Sequence, residues 1–137
     1  MKGRLKGSAK DILTTSYLKD QTDPALANDP GVVKWRAFMD KYYPEGDKTN
    51  SSNVSGYVTA ALMVQVLTQC GDNLTRENVM KQAASLKDLA HPMLIPGITI
   101  NTSDKDFYPI EQMQMEKFNG ERWELFGPVI SGSGEAS

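Results

Sequence analysis

The sequence predicts an α/β chain in which three helices are flanked by a short strand and a C-terminal β-hairpin. Apolar residues recur at helical spacing in three consecutive stretches, each marked by a cap or a breaker. Residues 11–17 are β-branched and hydroxyl-rich, which suits a strand. Near the C-terminus, apolar residues flank Asn119-Gly120, a turn dipeptide of hairpins.

Residues 20–30 follow the strand; acids, amides and two prolines make them a loop. Asp29 is placed to cap the first helix, with Pro30 at its first position. Val32, Trp35, Phe38, Met39 and Tyr42 form its apolar stripe, and Trp35 and Tyr42 are expected in the core. Pro44-Glu45-Gly46 ends that helix, and residues 47–53 read as a polar loop. The second helix is expected over 54–70, with Gly71 as a left-handed cap. Its apolar residues run most of the way round, so cover on several sides is expected, with Gly56, Ala60 and Ala61 allowing close approach. Thr75 caps a third helix with Glu77 in its first turn, where an acid suits the helix dipole. Val79, Met80, Ala83, Ala84 and Leu86 would be its buried stripe, ending near Lys87-Asp88.

Residues 89–96 form an apolar connector with two prolines, 98–100 a short strand and 101–106 a polar loop. For the hairpin, a two-residue Asn119-Gly120 loop pairs Glu116 with Trp123 and splits the apolar residues between faces. A three-residue loop over 118–120 pairs Lys117 with Glu121, Met115 with Trp123 and Met113 with Leu125, which matches charges and gathers the apolar side chains. The second register is the expected one, with Gly120 in the left-handed turn position. Residues 1–10 and the Gly/Ser-rich 131–137 are expected to be flexible ends of a structured 11–130.

Composition excludes several function classes. Net charge is −2 with Lys and Arg scattered, so no basic stripe for nucleic acid exists. The basic residues of 1–10 are broken up by Gly3 and Gly7, and no apolar run follows them as a secretory signal would require. The uncharged run over 49–71 carries too many hydroxyls and amides for a membrane span, which needs about 20 mostly apolar residues. With one cysteine, Cys70, the chain forms no internal disulfide or multi-Cys metal site.

Catalytic chemistry finds no constellation. His91 lies alone in the apolar connector, without a second ligand or acid at metal spacing, and reads as structural. Cys70 sits at a helix C-terminus, the wrong end for an activated thiolate, and reads as buried and inert. The acid pairs Asp104/Asp106 and Asp20/Asp23 lack the glycine turn and terminal Glu of a calcium loop. No metal or cofactor is expected. Asn50, Asn53, Asn73 and Asn101 each open an Asn-x-Ser/Thr sequon, which matters only in a glycosylating pathway. Tyr17, Tyr57 and Tyr108 fall at element ends, where a ligand cleft could use an aromatic ring with a polar tip.

The stretches 16–20, 35–43, 56–57, 67–79, 94–102 and 108–127, in this order and spacing, resemble the C-terminal part of the type I periplasmic solute-binding proteins. The similarity is to the branched-chain amino acid (amide-type) group that serves ABC transporters, and it spans about residues 11–130. The resemblance implies a partial type I periplasmic-binding-protein fold: two α/β lobes joined by three crossover strands, with the solute between them, of which this chain holds only the final portion. Residues 12–17 would belong to the second lobe, 19–24 and 98–108 to crossovers, the helices to the first lobe and the hairpin to the second. It implies a non-enzymatic, periplasmic or extracellular receptor segment. The partners would be a small amino acid, acid or amide and an ABC permease, with Tyr17, Tyr57 and Tyr108 at the cleft or hinge. The alternative is a segment that alone binds no solute and pairs, through exposed apolar faces, with another copy or with the rest of its parent.

Overall fold

The computed structural model describes residues 9–132. The expectations for residues 1–8 and 133–137 lie outside the described residues. Ala9 is already buried, and Ser131 closes the last strand opposite Gln112.

The chain runs β1 (Leu13–Ser16), a 3-10 turn (Pro24–Leu26), α1 (Pro30–Tyr42), α2 (Ser51–Cys70), α3 (Arg76–Ala83), β2 (Gln112–Phe118) and β3 (Trp123–Ser131). The strands make one antiparallel sheet in the order β1-β2-β3. Both capping expectations hold. The Asp29 carboxylate accepts from the Gly31 and Val32 amides, and the Thr75 hydroxyl accepts from Asn78 N–H.

Several helix readings change. First, α2 begins three residues early because the Asn50 side chain caps it, accepting from Ser52 N–H, so Ser51 to Asn53 are helical rather than loop. Second, Gly71 has the positive φ of +56° expected of a cap, but its ψ of −134° is not left-handed helical. Third, α2 is covered on one side only: Val54, Val58, Val66 and Cys70 are buried, while Met63, Val64 and Leu67 face outward. Fourth, α3 stops at Ala83, where Thr102 intervenes; its hydroxyl donates to Ala83 C=O and accepts from Leu86 N–H. Leu86 is buried beyond the helix end, but Met80 is exposed. On α1 the buried line is Val32, Trp35 and Met39. Tyr42, expected in the core, is 64% exposed and stacks with Phe38 on the surface at 5.0 Å between ring centres.

The expected 98–100 strand is not part of a sheet. Ile100 forms one isolated bridge with Leu89, exchanging both backbone hydrogen bonds with it. The hairpin takes neither expected register: Phe118 pairs with Trp123, Lys117 with Glu124 and Glu116 with Leu125. Asn119 causes the difference. Its carboxamide oxygen accepts from the Glu121 and Arg122 amides at 2.9 and 3.0 Å, and its N–H donates to Arg122 C=O. This Asx turn stretches the loop to four residues and brings the Phe118 and Trp123 rings to 5.2 Å. A second shift follows between Gln114 and Met115, opposite Gly127. Gly127 has φ +68°, a conformation natural to glycine at a bulge.

The core has two parts, and the proline-flanked connector joins them. Met93 packs with Val32, Trp35, Met39, Val54 and Val58, while Leu94 and Ile95 pack with Val66, Cys70, Leu86, Ile98 and Ile100. The connector also meets the segment leaving β1: Lys19 N–H donates to Met93 C=O and Ile95 N–H to Tyr17 C=O. The Leu18–Leu94 bridge thus anchors the exit from the sheet against the helical core.

Candidate functional site

A cleft of about 700 Å³ opens between the sheet and the start of α2. Thr15 and Ser16 of β1, Met113 and Glu116 of β2, and Trp123 of β3 form its sheet wall. Thr49, Ser51 and Ser55, at the start of α2, face them. Residues 17–22 form the floor between the two walls.

The floor is held by local polar bonds. The Ser16 hydroxyl donates to Leu18 C=O at 3.0 Å, and one Asp20 carboxylate oxygen accepts from the Thr22 amide and hydroxyl. Lys19 Nζ sits 2.7 Å from Asp29 Oδ2, with both side chains largely buried. That ties the floor to the capped end of α1. The Asp29 carboxyl is raised by burial, but hydrogen bonds from Lys19 and from the Val32 and Gly31 amides outweigh this and hold it below its ordinary value. The Arg36 guanidinium donates to Gln21 C=O at 2.8 Å. Across the sheet gap, Arg122 at the hairpin tip reaches Asp23 at 3.4 Å, and Asp23 also accepts from Ala25 N–H.

Glu116 is half-buried on the sheet wall. Burial first, and then the nearby Asp20 charge, raise its carboxyl above the ordinary value. A second hollow of about 240 Å³ lies between α1, α2 and the connector, lined in part by Lys34, Tyr57 and His91. There His91 Nδ1 accepts from Met93 N–H at 3.1 Å, and its ring meets Tyr57 edge-on at 5.6 Å. Burial first, and then Lys34, lower its pKa below the ordinary value. Cys70 is buried, as its position at the end of α2 suggested.

Of the three tyrosines singled out by sequence, Tyr17 lines the cleft and Tyr57 the second hollow. Tyr108 is 79% exposed, so the three do not share one cavity. Glu116, Trp123 and Met113 were not legible as cleft residues. Their only sequence signal was membership of the hairpin, and the cleft forms by convergence of segments as distant in sequence as Thr15 and Trp123. Among the described residues, no group of three or more His, Cys, Asp or Glu side chains is placed to hold a metal ion. Nor is any described helix long and apolar enough to cross a membrane.

No protein-family model and no curated protein matches the sequence. Among solved structures, the chain is similar to the crystal structure of a branched chain amino acid ABC transporter from Thermus thermophilus with bound valine. The TM-score is 0.69 at 16% identity, and the match covers 91% of this chain. The chain has a partial type I periplasmic-binding-protein fold. It spans only 34% of the length of that neighbour. The similarity agrees with the resemblance carried by residues 11–130, and the cleft just described lies within this partial fold.

Proposed function

We propose that the chain is a segment of an extracytoplasmic solute-binding receptor serving an ABC importer for amino acids or related small organic acids and amides. One observation carries the reading: a partial receptor fold with an open, hydroxyl-lined cleft between its sheet and its helices. In this reading residues 11–130 form the receptor segment, the cleft is one wall of the solute site, and Tyr17 faces the solute. Tyr57 and Tyr108 lie at the border of the hinge and meet solute or the opposite lobe only in the whole receptor. Residues 19–24, clamped at Lys19, Gln21 and Asp23, serve as a crossover about which the lobes close. The segment catalyses nothing, works in the periplasm or outside the cell, and delivers its solute to a permease. Titration calorimetry with a panel of amino acids, amides and small organic acids tests the solute role. Saturable heat from at least one of them is expected, and its absence across the panel overturns solute binding by this chain.

The outer side of α2 favours a second reading. Gly56, Ala60, Met63, Val64 and Leu67 form an exposed stripe on a helix with no charged residue. Such a face suits burial against another copy or the rest of the two-lobed fold, with no solute bound. A concentration-independent monomer in light scattering would count against this reading.

A further inference from the structure

We propose that the hollow between α1, α2 and the connector is a second binding site, which takes a small divalent oxyanion such as phosphate or sulfate. The inference does not depend on the solute reading of the cleft. Each of the three walls contributes one hydrogen-bond donor: Lys34 from α1, Gln65 from α2 and His91 from the connector. His91 Nδ1 accepts from Met93 N–H at 3.1 Å, so the proton of the uncharged ring sits on Nε2. The Tyr57 ring meets the imidazole edge-on at 5.6 Å and flanks it. The Lys34 ammonium, the Gln65 carboxamide and His91 Nε2 have no hydrogen-bond or ion-pair partner among the described residues. Three donors thus surround one hollow without an acceptor.

The charge of the hollow is positive, because Lys34 is the only charged side chain among its described lining residues. Helix α2 carries no charged residue, and the single acid of α1, Asp40, is paired with Lys48 at 2.6 Å. The other cations of α1 are engaged elsewhere: Arg36 donates to Gln21 C=O, and Lys41 lies over the Tyr42 ring. In the connector, His91 is the one titratable side chain. The Lys34 charge is felt there, since it follows burial as a cause of the lowered imidazole pKa. A bound anion offsets that repulsion and gives each donor a charged acceptor. Leu62, Leu89 and Pro92 form apolar parts of the wall, beside which charges are screened less than in open water. The hollow, about 240 Å³, is smaller than the roughly 300–1,000 Å³ of pockets for larger organic ligands, and it suits a tetrahedral oxyanion. Lys34 and a protonated His91 together supply two positive charges, which match a divalent oxyanion better than chloride or a monocarboxylate.

His91 is the only histidine of the chain, so its imidazole C2–H resonance reports on the hollow unambiguously. The test is proton NMR titration with sodium sulfate and, separately, inorganic phosphate, against sodium chloride and sodium acetate at matched ionic strength. Sulfate and phosphate are expected to move the resonance saturably and to raise the His91 pKa towards its ordinary value. Chloride and acetate should give only the small, non-saturating change of salt screening. Lys34→Gln, at an exposed position, should weaken sulfate binding at least about tenfold. The same substitution removes the resting repulsion, so the His91 pKa of the variant should start higher and no longer respond to sulfate. An equal response to chloride or acetate, a sulfate response that survives in the Lys34 variant, or the absence of any saturable shift overturns the assignment.

Discussion

Gly31 and Gly56 both sit inside helices, where replacing glycine by alanine ordinarily stabilises by up to about 1 kcal/mol. The structure reverses the sign at Gly31. A Cβ there would lie 2.3 Å from the Pro92 carbonyl oxygen and 2.7 Å from its carbon, both rigid backbone atoms. Normal contact requires α1 and the connector to part by about 1 Å. That gap would open beside Val32, Trp35 and Met93, all fully buried in one cluster. Overpacking of this kind costs about 1–3 kcal/mol, more than the alanine gain. Gly56→Ala meets nothing within 4 Å and should keep the full gain. Urea denaturation should therefore place Gly31→Ala about 1–3 kcal/mol below the parent and Gly56→Ala about 0.5–1 kcal/mol above it. In a thermal melt the two variants should fall on opposite sides of the parent, by roughly 3–6 °C per kcal/mol. A Gly31→Ala protein as stable as the parent would refute the claimed contact between α1 and the connector.

Three further outcomes are expected. Asp29→Ala removes a cap and orphans Lys19, so a loss of about 2–5 kcal/mol is expected in urea, whereas Asp29→Asn keeps the cap acceptor and should lose about 1 kcal/mol less. His91 is depressed by burial and Lys34, so the unfolded chain binds its proton first; stability should fall as pH drops below 6.5, and His91→Asn should flatten that part of the urea-midpoint profile. Glu116 is raised above 4.5, so its contribution has the opposite sign, lost as pH rises, and Glu116→Gln should steepen the rise in stability towards neutral pH. If the outer side of α2 drives self-association, Leu67→Lys should lower the weight-average mass in light scattering without lowering the melting temperature, because Leu67 is 41% exposed.

Local features were legible because their physics is local. Asp29 and Thr75 satisfy amides two or three residues away, so the sequence marks those helix starts without knowledge of anything distant. The hairpin register is also set locally, yet it differs from the one that pairing patterns predict. Matching of charges and apolar faces pointed to a three-residue loop, and the Asn119 side chain overrode it by taking two loop amides. The outward faces of α1 and α2 escape sequence reading for another reason. Helical spacing shows which residues share a stripe, but not whether anything covers it, and Tyr42, Met63 and Val64 lie uncovered.

The sequence by itself determined three helices, a leading strand, a closing hairpin and the resemblance that the solved structure supports at the level of fold. Caps, turn residues and apolar spacing act over a few residues, so they survive in a single sequence. Tertiary structure alone decided that the 93–95 connector contributes side chains to both core clusters and so joins them. It also decided that Glu116, Asp20 and Ser51 face one cavity. Those placements depend on chain closure between residues as far apart as Thr15 and Trp123, and on which carboxylates find a cation. Asp29 does, through Lys19, and Glu116 has no cation partner among the described residues. That difference in pairing gives the cleft its negative charge.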